Sequence, residues 1–190
     1  MATATVAFDD SLSPEAVREA YFIATGNANK RNQFFGSYTH NLLCPETGPN
    51  ISDIQIETPF ASVVQDIATR SLNYRAPDAV QDFYGKPGVF RVRTVIDFTP
   101  TYPAPATTAM QLGSFWNDFD VHLWVGGSEV QPRSVSGTPI WSDLTVSGYI
   151  GAIVTADYDP DKVQSGPVTV VVTGPDGARA ESDFDLDNLR

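Results

Sequence analysis

Trp116, Asp118, Asp120, His122 and Trp124 occupy alternate positions of the stretch from Phe115 to Val125, and Phe115, Asn117, Phe119, Val121, Leu123 and Val125 occupy the others. A period of two sends neighbours to opposite faces of a β-strand, so the spacing predicts one strand over 115–125, about 30 Å long at roughly 3.3 Å per residue. Its polar face gathers two of the three Trp, two carboxylates and one of the two His. Rings beside carboxylates and an imidazole bind a glycan or another flat ligand by stacking and hydrogen bonding. Asp118 and Asp120, about 6.6 Å apart on such a ribbon, approach the carboxylate spacings of glycoside hydrolysis. Acid and base must flank the bond from opposite sides, however, which neighbours on one strand do poorly. The competing expectation is a covered face, with Trp116 and Trp124 packed under an N-terminal helix and the charges turned to water.

Asp157, Asp159 and Asp161, in Ala156-Asp-Tyr-Asp-Pro-Asp-Lys162, are three hard oxygen donors whose alternation suits Ca²⁺. The glycine and the terminal glutamate of a calcium-binding EF-hand loop are missing, and Asp with Pro equally builds a strand-to-strand turn. His40 and Cys44 stand four apart before Pro45, without a further Cys or His nearby to complete a zinc site. No glycine-rich dinucleotide loop, phosphate-binding loop or Gly-x-Ser-x-Gly elbow occurs, which removes nucleotide-dependent and α/β-hydrolase chemistry.

The elements that must position these groups fall into two stretches. Ser13-Pro14 reads as an N-cap and first helical residue, with Gly26 as the stop. A more polar helix follows from Asn27 to about Tyr38, then a turn over Cys44–Pro49 and a short strand over Ile51–Thr58. Thr58-Pro59 repeats the cap signature, and Phe60, Val63, Val64, Ile67 and Leu72 continue with helical spacing. Pro77 to Tyr84 adds one or two turns. From Val89 the period becomes two: strands are expected over Val89–Phe98, 115–125, Pro139–Val146, Tyr149–Asp157, Val168–Thr173 and Ala180–Leu186. Gly174-Pro-Asp-Gly177 turns the last pair into a hairpin. Pro100, Pro103 and Pro105 mark an extended connection, and Thr99–Met110 is suited to an arm exchanged between copies.

With 42% hydrophobic residues and three Trp in 190 residues, the chain is long enough for one sizeable core. A net charge of −11 repels phosphate backbones and anionic lipid, so no nucleic-acid partner is expected. No apolar run of about 18 residues is present, so no membrane insertion is expected. One cysteine forms no internal disulfide, and residues 1–8 have neither the basic leader nor the apolar stretch of a signal peptide. An extracytoplasmic location requires that a signal has been trimmed; otherwise the protein is cytoplasmic.

Ser13-Pro-Glu-Ala-Val-Arg-Glu-Ala-Tyr-Phe22, Pro45-Glu-Thr-Gly-Pro49 with Ile51, Thr58-Pro-Phe-Ala61 and Phe184-Asp-Leu186 resemble segments of a protein group met in acidobacterial genomes that has no assigned activity. These segments are caps, turns and core residues, so the resemblance implies a shared fold and carries no catalytic residue. The C-terminal rhythm resembles an immunoglobulin-like sandwich. The expected architecture is α+β: a mainly helical portion over 1–88 packed against an antiparallel β-sandwich over 89–190, the two forming one domain if the strand at 51–58 joins the sheet. The expected function is non-enzymatic, a structural or interaction protein whose partners are other protein chains or further copies of itself. No cofactor is expected, Ca²⁺ being the one candidate. The alternative is a carbohydrate or small-ligand module on Trp116, Asp118, Asp120, His122 and Trp124.

Overall fold

The computed structural model describes residues 12–103, 112–142 and 149–189. Helix α1 (Pro14–Ala24) starts where Ser13 Oγ accepts the Ala16 N–H at 3.2 Å, and α2 (Ala28–Gly36) where Asn27 Oδ1 accepts that of Lys30 at 2.9 Å. Such caps each stabilise a helix by about 1 kcal/mol. Strands β1 (Thr39–Asn41) and β2 (Asn50–Glu57) follow, and Thr58 caps α3 (Pro59–Ala68). The Thr69 hydroxyl turns back to the Asp66 carbonyl at 2.8 Å and ends α3 there. Leu72, expected to continue its apolar face, is therefore left fully exposed. α4 is Ala76–Phe83.

The remaining strands are β3 (Phe90–Asp97), β4 (Asp120–Val125), β5 (Ser128–Val130), β6 (Ser134–Trp141), β7 (Tyr149–Tyr158), β8 (Pro167–Thr173) and β9 (Arg179–Asp185). They form two antiparallel sheets, one in the order β1-β2-β3-β7-β6 and the other β5-β4-β8-β9. The strand expected at 51–58 does join the sheet: β2 lies between β1 and β3. Even-numbered residues of β3 and β7 face inward and pair across the ladder, Phe90 with Tyr158, Val92 with Ala156, Thr94 with Val154 and Ile96 with Ala152. They share one core with Val121, Leu123 and Val125 of β4, Val168, Val170 and Val172 of β8, and Phe184 of β9. The arrangement is an α+β fold with two sheets layered like a sandwich. Tyr158 ties the layers together by donating its hydroxyl to the Val121 carbonyl at 3.2 Å, and burial pushes its phenol pKa up.

A second apolar cluster, Val17, Ala20, Ala24, Phe60, Val64, Ile67 and Ala79, joins α1 to α3 and α4. Phe34 and Phe35 of α2 pack against both clusters. The helices thus sit at the end of the five-stranded sheet where β2 finishes and β3 begins.

Two expectations change. The strand over 115–125 is only Asp120–Val125; its first part is a 3₁₀ helix over Leu112–Asp118. Phe115 sits in the 3₁₀ turn and Phe119 just past its end, yet both are buried as the alternation requires, so alternation alone does not separate strand from helical turn. Phe115 lies 4.7 Å from Phe98 between ring centres. The strand expected over Pro139–Val146 runs over Ser134–Trp141, and 143–148 lie outside the described residues. Pro100 also opens a tight turn, in which Tyr102 N–H donates to the Thr99 carbonyl at 3.1 Å while the Thr99 hydroxyl donates to the Gly48 carbonyl at 2.6 Å. The start of the expected arm is thereby pinned to the 44–49 loop; residues 104–110 of it lie outside the described residues.

Trp116 lies flat across Gly137 of β6, where a Cβ would fall 2.1 Å from the indole. Gly137→Ala therefore forces the ring off the sheet and is expected to cost about 1–3 kcal/mol, read as a lowered urea midpoint with an unchanged slope.

Candidate functional site

Once the 3₁₀ turn replaces the first half of the expected strand, the five residues of its polar face separate. Trp116 is half-buried against the core, and Asp118 is exposed on the turn. Asp120, His122 and Trp124 remain together on the outer face of β4. Asp118 and Asp120 no longer share a strand, which removes the spacing on which the paired-carboxylate reading relied. Of two possible ring platforms, only Trp124 is left on this face, with 40% of its surface exposed.

Three residues that the sequence pattern did not single out complete the surface. Glu129 of β5 stands opposite Trp124 in the ladder, and its carboxylate lies 2.5 Å from Nδ1 of His122. An ionised carboxylate only accepts, so Nδ1–H is the donor in this contact. Thr169 of β8 also stands opposite Trp124, and its hydroxyl donates to Asp183 of β9 at 2.6 Å. Asn117, Asp120, His122, Glu129, Gln131 and Val135 line a cleft of about 290 Å³ at the open end of β4 beyond the short β5. The helices are seated on the five-stranded sheet, so the expected helical cover over Trp124 is not what shields it.

The aspartate triplet does not converge. Asp157 accepts from Arg91 Nε at 2.7 Å, Asp159 from Arg133 at 2.8 Å, and Asp161 is exposed. The hydrogen bond from Arg133 lowers the Asp159 pKa. Among the described residues no group of three or more His, Cys, Asp or Glu is placed to hold a metal ion. His40 stacks on Phe184 at 4.3 Å and meets Ser182 Oγ at 3.3 Å, linking β1 to β9 across the layers, while Cys44 is exposed beyond it.

A second polar cluster was not legible from spacing. Glu57 of β2, Arg91 of β3 and Asp157 of β7 stand side by side in the sheet, and α3 lowers Ser62 and Asp66 onto them. Arg91 Nη1 reaches Glu57 and Ser62 at 3.5 Å and Asp66 at 3.9 Å. Glu57 is fully buried, and its Oε1 has no hydrogen-bond partner among the described residues. Three carboxylates therefore share one guanidinium. Burial raises the pKa of Glu57 and of Asp66, against the opposing pull of Arg91. The arrangement locks α3 to the sheet and holds Arg91 charged.

The chain matches no protein-family model and no curated protein.

Because the folded pKa of Glu57 lies above its unfolded value, its contribution to stability is complete below the ordinary carboxylate range and is lost as pH rises through the raised value. Glu57→Gln is expected to flatten that loss, so that its unfolding midpoint declines less than the parent's as pH rises from acidic to neutral. Arg91→Met strands the buried Glu57 carboxylate, while the partly exposed Asp66 and Asp157 turn to water, and is expected to cost about 1–3 kcal/mol at neutral pH in denaturant titrations.

Proposed function

We propose that this protein is a non-enzymatic recognition protein, structural or interacting, whose working surface is the outer face of the four-stranded sheet and whose partners are other protein chains. The observation that carries the reading is Trp124, a large ring kept 40% exposed on a sheet face whose surrounding side chains are already hydrogen-bonded to one another. A rigid aromatic anchor inside a polar rim is the anatomy of a protein contact. The two-layered antiparallel sheets, with the chain passing between them from β3 to β4, β5 to β6 and β7 to β8, support an immunoglobulin-like type for the sandwich. Such scaffolds commonly serve recognition, which favours the reading by analogy alone.

A second reading, carbohydrate binding, is favoured by the cleft of Asn117, Asp120, His122, Glu129 and Gln131 near Trp124. These side chains offer the donors and acceptors that sugar hydroxyls require, and the ring offers one stacking platform.

Trp124→Ala tests both readings. Immobilised parent protein is expected to retain a stoichiometric protein partner from an extract of its own cells, and Trp124→Ala to retain about tenfold less or lower, as for truncation of a central aromatic anchor. Leu72→Ala, remote from the sheet face, is expected to retain as much as the parent. A partner held equally by the parent and Trp124→Ala rejects the protein-contact reading of this face. Saturable quenching of Trp fluorescence by a member of a glycan panel, abolished in Trp124→Ala, decides for carbohydrate.

A further inference from the structure

An edge strand presents unpaired peptide groups, and stable folds shorten, charge or cover such edges. Three of the four edges here follow that rule. β1 and β5 are three residues each, and β9 exposes Arg179, Glu181, Asp183 and Asp185. The fourth has only one such device, Pro139: β6 is eight residues long, Ser134-Val-Ser-Gly-Thr-Pro-Ile-Trp141, bears no charged side chain, and pairs with β7 alone among the described residues. Val135 and Trp141 on it are 51% and 57% exposed.

We propose that β6 is a self-association edge, on which β6 of a second copy docks antiparallel, so that the two five-stranded sheets run on as one. The occupant follows from what each residue would meet about a two-fold axis through Gly137. Ser136 faces Thr138, Val135 faces Pro139 and Ser134 faces Ile140, so at the centre polar meets polar and apolar meets apolar, and a small hydroxyl meets Ile further out. Arg133, half exposed while bonded to Asp159, comes opposite the Trp141 ring, a cation facing a π-system. No like charges meet along the strand, although each copy carries −11. Elsewhere on so acidic a surface two copies repel, whereas the uncharged edge lets them approach. Pro139 has no N–H and removes at most one hydrogen bond of the new ladder per copy. A segment of another protein could add to the same edge, and the mass measurement below separates that case. Trp124 itself lies on the other sheet, whereas Val135 of β6 also lines the cleft beside His122 and Glu129, so Ser136→Lys, outside that cleft, tests the edge apart from the cleft.

The test is sedimentation equilibrium of the full chain from about 1 to 100 µM, a range that brackets micromolar association. The parent is expected to move from one chain mass toward two. Val135→Lys sets a charge at the centre of the edge and is expected to stay at one chain mass throughout with an unchanged thermal midpoint. Glu181→Lys on β9 is expected to dimerise as the parent does, and so is Trp124→Ala. If Val135→Lys fails to fold, Ser136→Lys, at an exposed position of the same strand, takes its place. A parent that remains at one chain mass over the whole range overturns the proposal, as does a folded lysine variant that dimerises like the parent.

Discussion

β3 lies at the middle of the five-stranded sheet and is the strand whose burial all the other elements share. Its inward residues, Phe90, Val92, Thr94 and Ile96, are covered by the valine-rich faces of β4 and β8, and its outward Arg91 receives α3. Apolar burial at about 25 cal/mol per Å² makes the inward layer the dominant stabilising term. Thr94 remains in that layer because its hydroxyl is satisfied by the Asp53 carbonyl, at the bulge between Ile51 and Asp53. The irregularity in β2 and the buried polar group in β3 thus account for each other.

Charge is arranged in a matching way. The outer face of the five-stranded sheet concentrates Arg91 and Arg93 among Glu57, Gln55, Asp66 and Asp157, with Arg93 donating to Gln55 at 3.0 Å. Those contacts fix where the helices attach. The outer face of the four-stranded sheet carries short local pairs, His122 with Glu129, Thr169 with Asp183 and Arg179 with Glu181, and receives none of the described helices. One outer face therefore works within the fold, and the other is turned outward around Trp124.

Much of the element order was legible. Ser13-Pro14 and Thr58-Pro59 start helices because a hydroxyl cap and a proline act within one turn, whatever the rest of the chain does. Gly174–Gly177 turns β8 into β9 because Gly177 takes a φ of +78° and Asp176 accepts the Ala178 N–H at 3.0 Å, both local requirements. The candidate site was legible only in part. Asp120, His122 and Trp124 share a face as alternation demands, whereas Glu129 and Thr169 reach Trp124 through strand pairing that no local spacing encodes. Phe115 and Phe119 pointed to a longer strand because both are inward-facing in the alternation, whereas the chain buries Phe115 from a 3₁₀ turn and Phe119 just beyond it.

What the sequence by itself determined is everything carried by contacts a few residues apart: caps, hairpin turn and apolar phase, together with the net charge. What only the tertiary structure decided is which faces become interior. Glu57 is an ordinary strand carboxylate until α3 descends on it, Trp116 is a candidate platform until Gly137 receives its ring, and β6 is one strand among several until it falls at a sheet edge. The reason is that desolvation and pairing depend on neighbours distant in the chain, whose approach is set by the packing of the whole core.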